Sequence, residues 1–293
     1  MSKKSTPQAS QRKILVGGGQ TGAAETTVEV WQQQEGSHSI DMATDNIATE
    51  TAIALVYNGV SHVVMMASPM NLEAFALGFS LTEGIVDSAE DIYEVQIEPV
   101  EEGIEVLLSI SNRCFIKLKD RRRNLSGRTG CGLCGAESLQ QVRLPVSKVV
   151  ADFAISHRAI DRATRDFSNH QPLLGLTGAV HGAAWCNVEG EILQVCEDVG
   201  RHNALDKLIG LLCQNKITSQ AGLMHQQGFL LISSRASYEI LQKSAMANIG
   251  IIAALSAPTS LAIDIANQAD ITLIGFSRED RHVAYTSTQR LLA

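Results

Sequence analysis

No run of about 18 or more uncharged apolar residues occurs in the 293-residue sequence, so no segment reads as a membrane-spanning helix. Its opening stretch, MSKKSTPQASQRK, carries charge but lacks the apolar core and small-residue cleavage pattern of a secretory leader. There is no basic excess either. With 24 Lys and Arg against 31 Asp and Glu, the net charge is −7 and the sequence pI about 5.6, which argues against general nucleic-acid binding. A second Cys-x-x-Cys pair is also missing, so a four-ligand structural zinc site finds no support and no metal is expected. What remains is a soluble, cytoplasmic protein. It is 45% hydrophobic and long enough for two domains.

The most informative stretch is GRTGCGLCG at 127–135, where Cys131 and Cys134 sit among Gly127, Gly130, Gly132 and Gly135. Glycines that dense forbid regular structure and put both thiols on pliable, close-approaching backbone. Thiol chemistry runs through the thiolate, which this spacing and nearby cations favour. Lys117, Lys119, Arg121, Arg122, Arg123 and Arg128 precede or enter the loop and give it a locally positive field. The other four cysteines, Cys114, Cys186, Cys196 and Cys213, lie in apolar surroundings and read as inert packing residues.

Residues 1–40, rich in Gln, Ser, Thr and Gly, are expected to be mobile. GGGQTG at 17–22 is only a faint echo of a phosphate loop, lacking its Lys-Ser/Thr ending. A small α+β domain is expected over 41–148. It begins with TAIALVY and VSHVVMMAS, joined by Asn58-Gly59 as a β-hairpin. Ser68 and Pro69 then predict the start of a helix running to Thr82, and the strands YEVQIEPV and GIEVLLSI follow. The basic run after Cys114 reads as a strand edge leading into the cysteine loop at 121–137.

Residues 149–293 read as a second, α/β domain. AVHGAAWCNV and EILQVCEDV predict an antiparallel hairpin, and a helix follows over about 203–213. From Gly228 the order strand, helix, strand, helix, strand predicts a parallel sheet, its middle helix carrying a Glu239/Lys243 surface pair. Ligands of such sheets bind beyond the strands' carboxyl ends. There the sequence places Ser233-Ser234-Arg235, Ser256 to Thr259, and Phe276-Ser277-Arg278 with Arg281, an edge suited to phosphate. His181 and the segment EDVGRHNALDK, with Arg201 and His202, add polar groups of unassigned role.

A zinc deaminase needs His-x-Glu and Pro-Cys-x-x-Cys. Here His181-Gly182-Ala183 lacks the carboxylate, Gly130 stands in place of proline, and the motif order is reversed. The residues therefore argue against deamination, leaving a thioredoxin-like dithiol and a sulfur carrier, which the spacing alone does not separate.

Several stretches together resemble the FdhD family of formate dehydrogenase accessory sulfurtransferases. They are SPMNLEAFALGFSLTEGIV, RRRNLSGRTGCGLCG, TGAVHGAAW, EDVGRHNALDKLIG, SSRASYEILQKSAMANI, SAPTSLAIDIA and ITLIGFSRED. They span nearly the whole chain from residue 40. The resemblance implies a cytidine-deaminase-like three-layer α/β fold for the C-terminal domain, and a homodimer. It implies that persulfide sulfur from a cysteine desulfurase passes to Mo-bis(molybdopterin guanine dinucleotide), the cargo, on which formate dehydrogenase, the client, depends. By position it gives the persulfide to Cys131, with Cys134 as its partner. The cofactor contact falls on Phe276, Ser277, Arg278, Glu279, Asp280 and Arg281. A thiol-disulfide oxidoreductase and a non-catalytic molybdenum-cofactor-binding chaperone are the alternatives.

Overall fold

The computed structural model describes residues 22–34, 37–125, 146–216 and 226–293. Two strands, β1 (Ala23–Gln34) and β2 (Ser37–Ala48), form a long antiparallel hairpin. An ordered strand pair thus stands at residues 23–34 and 37–40, where a mobile segment was expected. Thr26, Val28 and Val30 are only half-buried between exposed Glu25, Thr27 and Glu29, and Trp31, Ile40 and Met42 are exposed, so the strands lack the fully buried face by which a strand is most readily recognised.

Four strands build the first sheet: β3 (Thr51–Tyr57), β4 (Val60–Ala67), β5 (Ile92–Val100) and β6 (Gly103–Ile110), in the order β4-β3-β6-β5. Asn58 and Gly59 join β3 to β4 with φ of 47° and 77°, the left-handed pair a two-residue hairpin turn requires. Ile53, Leu55, Val106 and Leu108 bury one face of the sheet against helix α1 (Leu72–Thr82).

Two elements of this half depart from expectation. Helix α1 starts at Leu72 with Asn71 as its N-cap in the left-handed region, so Ser68 and Pro69 precede the helix and do not begin it. The basic run lies on a helix, α2 (Asn112–Leu125), and not on a strand edge. Cys114 and Leu118, one turn apart, are buried. Lys117 reaches Asp87 at 3.0 Å, so part of the positive charge is answered locally.

The remainder is built around a mixed six-stranded sheet. Ahead of it in sequence come β7 (Ile155–Ser156), helix α3 (His157–Asp166) and the short α4 (Pro172–Thr177). Antiparallel β8 (His181–Cys186) and β9 (Ile192–Asp198) follow, then α5 (Arg201–Gln214). Next are β10 (Phe229–Ile232), α6 (Tyr238–Met246), β11 (Ile251–Ala254), α7 (Ser260–Ala269) and β12 (Thr272–Arg278). As the alternation of strand and helix predicts, β10, β11 and β12 are parallel. An antiparallel β13 (Arg281–Ala284) closes one edge, giving the order β13-β12-β11-β10-β8-β9, and β14 (Leu291–Leu292) pairs with β7.

Both faces of this sheet are covered, which is why its central strands are wholly apolar. Leu230, Ile232, Ile252 and Ala254 pack with α5, α6 and α7, while Phe229, Leu231, Ile251 and Ala253 pack towards α3. Helix α5 also lies across α1 of the first half. Gly78 and Gly210 permit backbone contact there, with Asp206 and Ala74 opposite.

Candidate functional site at the carboxyl edge of the sheet

Chain direction gathers the polar motifs at one edge. Since β8 runs antiparallel to β10, its first residue, His181, lies beside the last residues of β10. The amide of Gly182 donates to Ser233 Oγ at 2.9 Å, and the amide of Ser233 donates back to the Gly182 carbonyl at 3.0 Å. His181 pairs in register with Asp198 at the end of β9, three residues before Arg201 opens α5. The turns after β10, β11 and β12 are stitched together. The Thr259 amide donates to the Ala236 carbonyl at 3.0 Å, and the Phe276 amide to the Ser256 carbonyl at 3.1 Å.

The segment 276–281 divides by orientation. Phe276 sits at a bulge with φ 51° and its ring is 40% exposed. Ser277 is fully buried, its Oγ 2.7 Å from Thr164 Oγ1 on α3. Arg278 and Arg281 are exposed and flank Glu279 and Asp280 in register opposite one another. Asp280 is held back by an ion pair with Arg165, and its amide donates to Asp161 Oδ1 at 2.9 Å. Phe276, Arg278 and Arg281 thus present groups outward, whereas Ser277 and Asp280 fasten the hairpin to α3. A stacked pair, His157 and His282 with rings 4.9 Å apart, adds a second fastening.

The charges of EDVGRHNALDK turn inward. Asp198 and Lys207 are fully buried, and Lys207 Nζ donates to Asp198 Oδ2 at 2.5 Å. Burial pulls the Lys207 ammonium below the ordinary lysine range, against the attraction of Asp198. Ser68 completes the cluster: its amide donates to Asp198 at 3.0 Å, its carbonyl accepts from Lys207 at 2.8 Å, and its Oγ accepts from the Val199 amide at 3.2 Å. Glu197 accepts from the amides of Leu173 and Leu174 at the start of α4. These charges fix the edge in place and leave Arg201 and His202 at its surface.

His202 Nε2 lies 2.5 Å from Glu239 Oε2 on α6 and 3.4 Å from Ser237 Oγ. That hydrogen bond, with the charges of His202 and Arg201, holds Glu239 below the usual carboxylate range. His181, half buried and facing Arg201 and His202, is lowered from the ordinary histidine value by burial first and by those cations second. The expected Glu239/Lys243 pair on α6 does not form. Lys243 instead turns to Glu83 at 2.7 Å and Asp206 at 3.0 Å. Burial alone would lower Lys243, but the two carboxylates raise it above the ordinary lysine range.

Cys131 and Cys134, the central sequence candidates, lie outside the described residues. Cys114, Cys186 and Cys196 are buried and free, as expected, and burial drives the Cys196 thiol up to about 12. Nothing local signals the contacts by which Ser68, Thr164 and Arg165 reach Asp198, Ser277 and Asp280, each 113 or more residues away. A cavity of about 280 Å³ lined by Trp185, Gly228, Asn248 and Gly250 lies at the opposite end of the sheet. No helix among the described residues is long and apolar enough to cross a membrane.

The crystal structure of a protein of Desulfotalea psychrophila, described as a formate dehydrogenase accessory protein, superimposes with a TM-score of 0.66 at 22% identity. The match covers 92% of this chain and 99% of that one, and it establishes a shared fold. A profile of the FdhD/NarQ family matches residues 48–292, taking in the cysteine loop, the buried Asp198 cluster and the whole carboxyl edge. On that match over more than four-fifths of its length, the chain belongs to the FdhD/NarQ family.

Proposed function

We propose that this protein is a sulfur carrier in formate dehydrogenase maturation. It takes persulfide sulfur from a cysteine desulfurase and delivers it to Mo-bis(molybdopterin guanine dinucleotide), its substrate. One observation carries the reading: the family match spans both the Cys131/Cys134 loop and an edge whose outward groups, Phe276, Arg278 and Arg281, suit a guanine dinucleotide. The two guanidiniums can grip phosphate bidentately and the ring offers a stacking face for guanine. Ser277, Glu279 and Asp280 complete the proposed contact segment, with Ser277 and Asp280 in supporting roles.

In the first step the Cys131 thiolate attacks the outer sulfur of the donor persulfide, forming a new S–S bond while the donor cysteine leaves as thiolate. Cys134 takes part as the neighbouring thiol. The reading places the protein in the cytoplasm as a homodimer. It divides the chain near residue 148 and gives residues 149–293 a cytidine-deaminase-like layout.

Intact mass after incubation with a cysteine desulfurase and cysteine tests the proposal, comparing wild type with Cys131→Ala. One added sulfur, removed by reductant and absent from the variant, is expected. Loss of two hydrogens with no added sulfur would make the chain a thiol-disulfide oxidoreductase. A Cys131→Ala protein that still activates formate dehydrogenase would make it a binding chaperone.

A further inference from the structure

The cavity of about 280 Å³ at the end of the sheet opposite the carboxyl edge lies where the chain enters β10 and β11, beside residues 150–153. Trp185 of β8 forms part of its wall. The indole Nε1 is buried and has no hydrogen-bond partner; since an indole N–H only donates, the group missing there is an acceptor. The ring meets the cavity wall at Gly228 with its nitrogen-bearing side. A Cβ on Gly228 would stand 2.8 Å from Cζ2 and 3.0 Å from Cε2, the carbon bonded to Nε1. At Gly250 a Cβ would fall 2.3 Å from that of Ala151, so both entering chains pass the cavity without a side chain. Asn248, at φ 55°, clasps Val150 in the facing wall, accepting from its amide at 2.8 Å and donating to its carbonyl at 3.2 Å. At the mouth Asp152 is exposed and has no ion pair among the described residues.

We propose that this cavity binds a small amine that carries a neutral carbonyl group, the carbonyl accepting from Trp185 Nε1 and the ammonium facing Asp152. One inner donor, one outer carboxylate and an apolar wall at Phe153 are the sparse, convergent set by which a pocket orients a small ligand. Gln226 and Gln227, exposed at the rim, both donate and accept and so serve either end of it. A carboxylate in place of the carbonyl would be repelled by Asp152. A free amino amide and the amino terminus of a polypeptide share the required chemistry. The site is separate from Phe276, Arg278 and Arg281, and its existence does not depend on sulfur transfer by Cys131.

NMR of the isotopically labelled full chain tests the site. Its two tryptophans, Trp31 and Trp185, give two indole N–H signals, which Trp31→Phe assigns. Glycinamide is expected to move the Trp185 signal downfield, as a new hydrogen bond to a carbonyl does, and to leave the Trp31 signal in place. Its affinity should fall at least tenfold in Asp152→Asn and stay unchanged in Glu73→Gln, which removes an acid exposed on α1. Acetamide, which lacks the ammonium, should bind at least tenfold more weakly than glycinamide. Triglycinamide binding tenfold tighter than glycinamide would identify a polypeptide amino terminus as the natural source; equal affinity would identify a free amino amide. A Trp185 signal that glycinamide does not move would mean that water alone fills the cavity, and equal affinity in Asp152→Asn would leave the carboxylate without a role. Either result would overturn the proposal.

Discussion

Gly78 on α1 and Gly210 on α5 meet across a helix crossing too close for any side chain. A Cβ on Gly78 would stand 1.8 Å from the Asp206 carbonyl oxygen, and one on Gly210 would stand 1.9 Å from that of Ala74. Both obstacles are backbone atoms, which cannot rotate away.

Gly210→Ala is therefore expected to push the two helices apart and to cost about 3 kcal/mol, the upper part of the range for overpacking. Urea denaturation measures it. A loss under about 0.5 kcal/mol, the usual size of a surface change, would mean that the crossing yields easily.

Lys207→Met removes the cation from the fully buried Asp198 carboxylate but leaves the amides of Ser68 and Gly200 aimed at it. Breaking such a pair costs about 3–5 kcal/mol, most of it for stranding the remaining charge. Adding Asp198→Asn should restore part of the loss, since a neutral amide is cheaper to bury. A double variant no more stable than the single would show that the charge is dispensable and that only the Lys207 packing counts.

Phe276 occupies the left-handed region at φ 51°, where a side chain costs about 1 kcal/mol. In Phe276→Gly that strain is relieved, so stability by thermal unfolding should be unchanged or slightly raised. GDP binding, in contrast, should weaken several-fold as the stacking face disappears. Undiminished GDP affinity would remove Phe276 from the guanine contact.

Local rules made much of the architecture legible. Asn58-Gly59 gave its hairpin because two positive φ angles are a local demand, and the apolar strands from Phe229 to Ile274 gave the parallel sheet because burial on both faces leaves a plain pattern. Ser68 misled because its amide and carbonyl are spent on Asp198 and Lys207, 130 and 139 residues away, and not on the first turn of a helix. Glu239 and Lys243 stand four apart on one helix, yet each found a stronger partner on a different element. The hairpin at 23–48 was missed because its apolar alternation is confined to Val28 and Val30, while Trp31, Ile40 and Met42 face solvent. The carboxyl edge was legible as a set of turns, but the burial of Ser277 and the tethering of Asp280 depend on α3, which nothing nearby announces.

The Ser68–Asp198–Lys207 cluster also bears on how the chain folds. Its two charges are placed by β9 and α5, but the carbonyl and amide that satisfy them arrive from the residues just after β4. Until the first sheet docks, the second half must keep an ammonium and a carboxylate in a partly dehydrated pocket without their full complement of partners. That penalty links the two cores into one cooperative unit, so unfolding should proceed as a single transition and neither half should be a good autonomous folder.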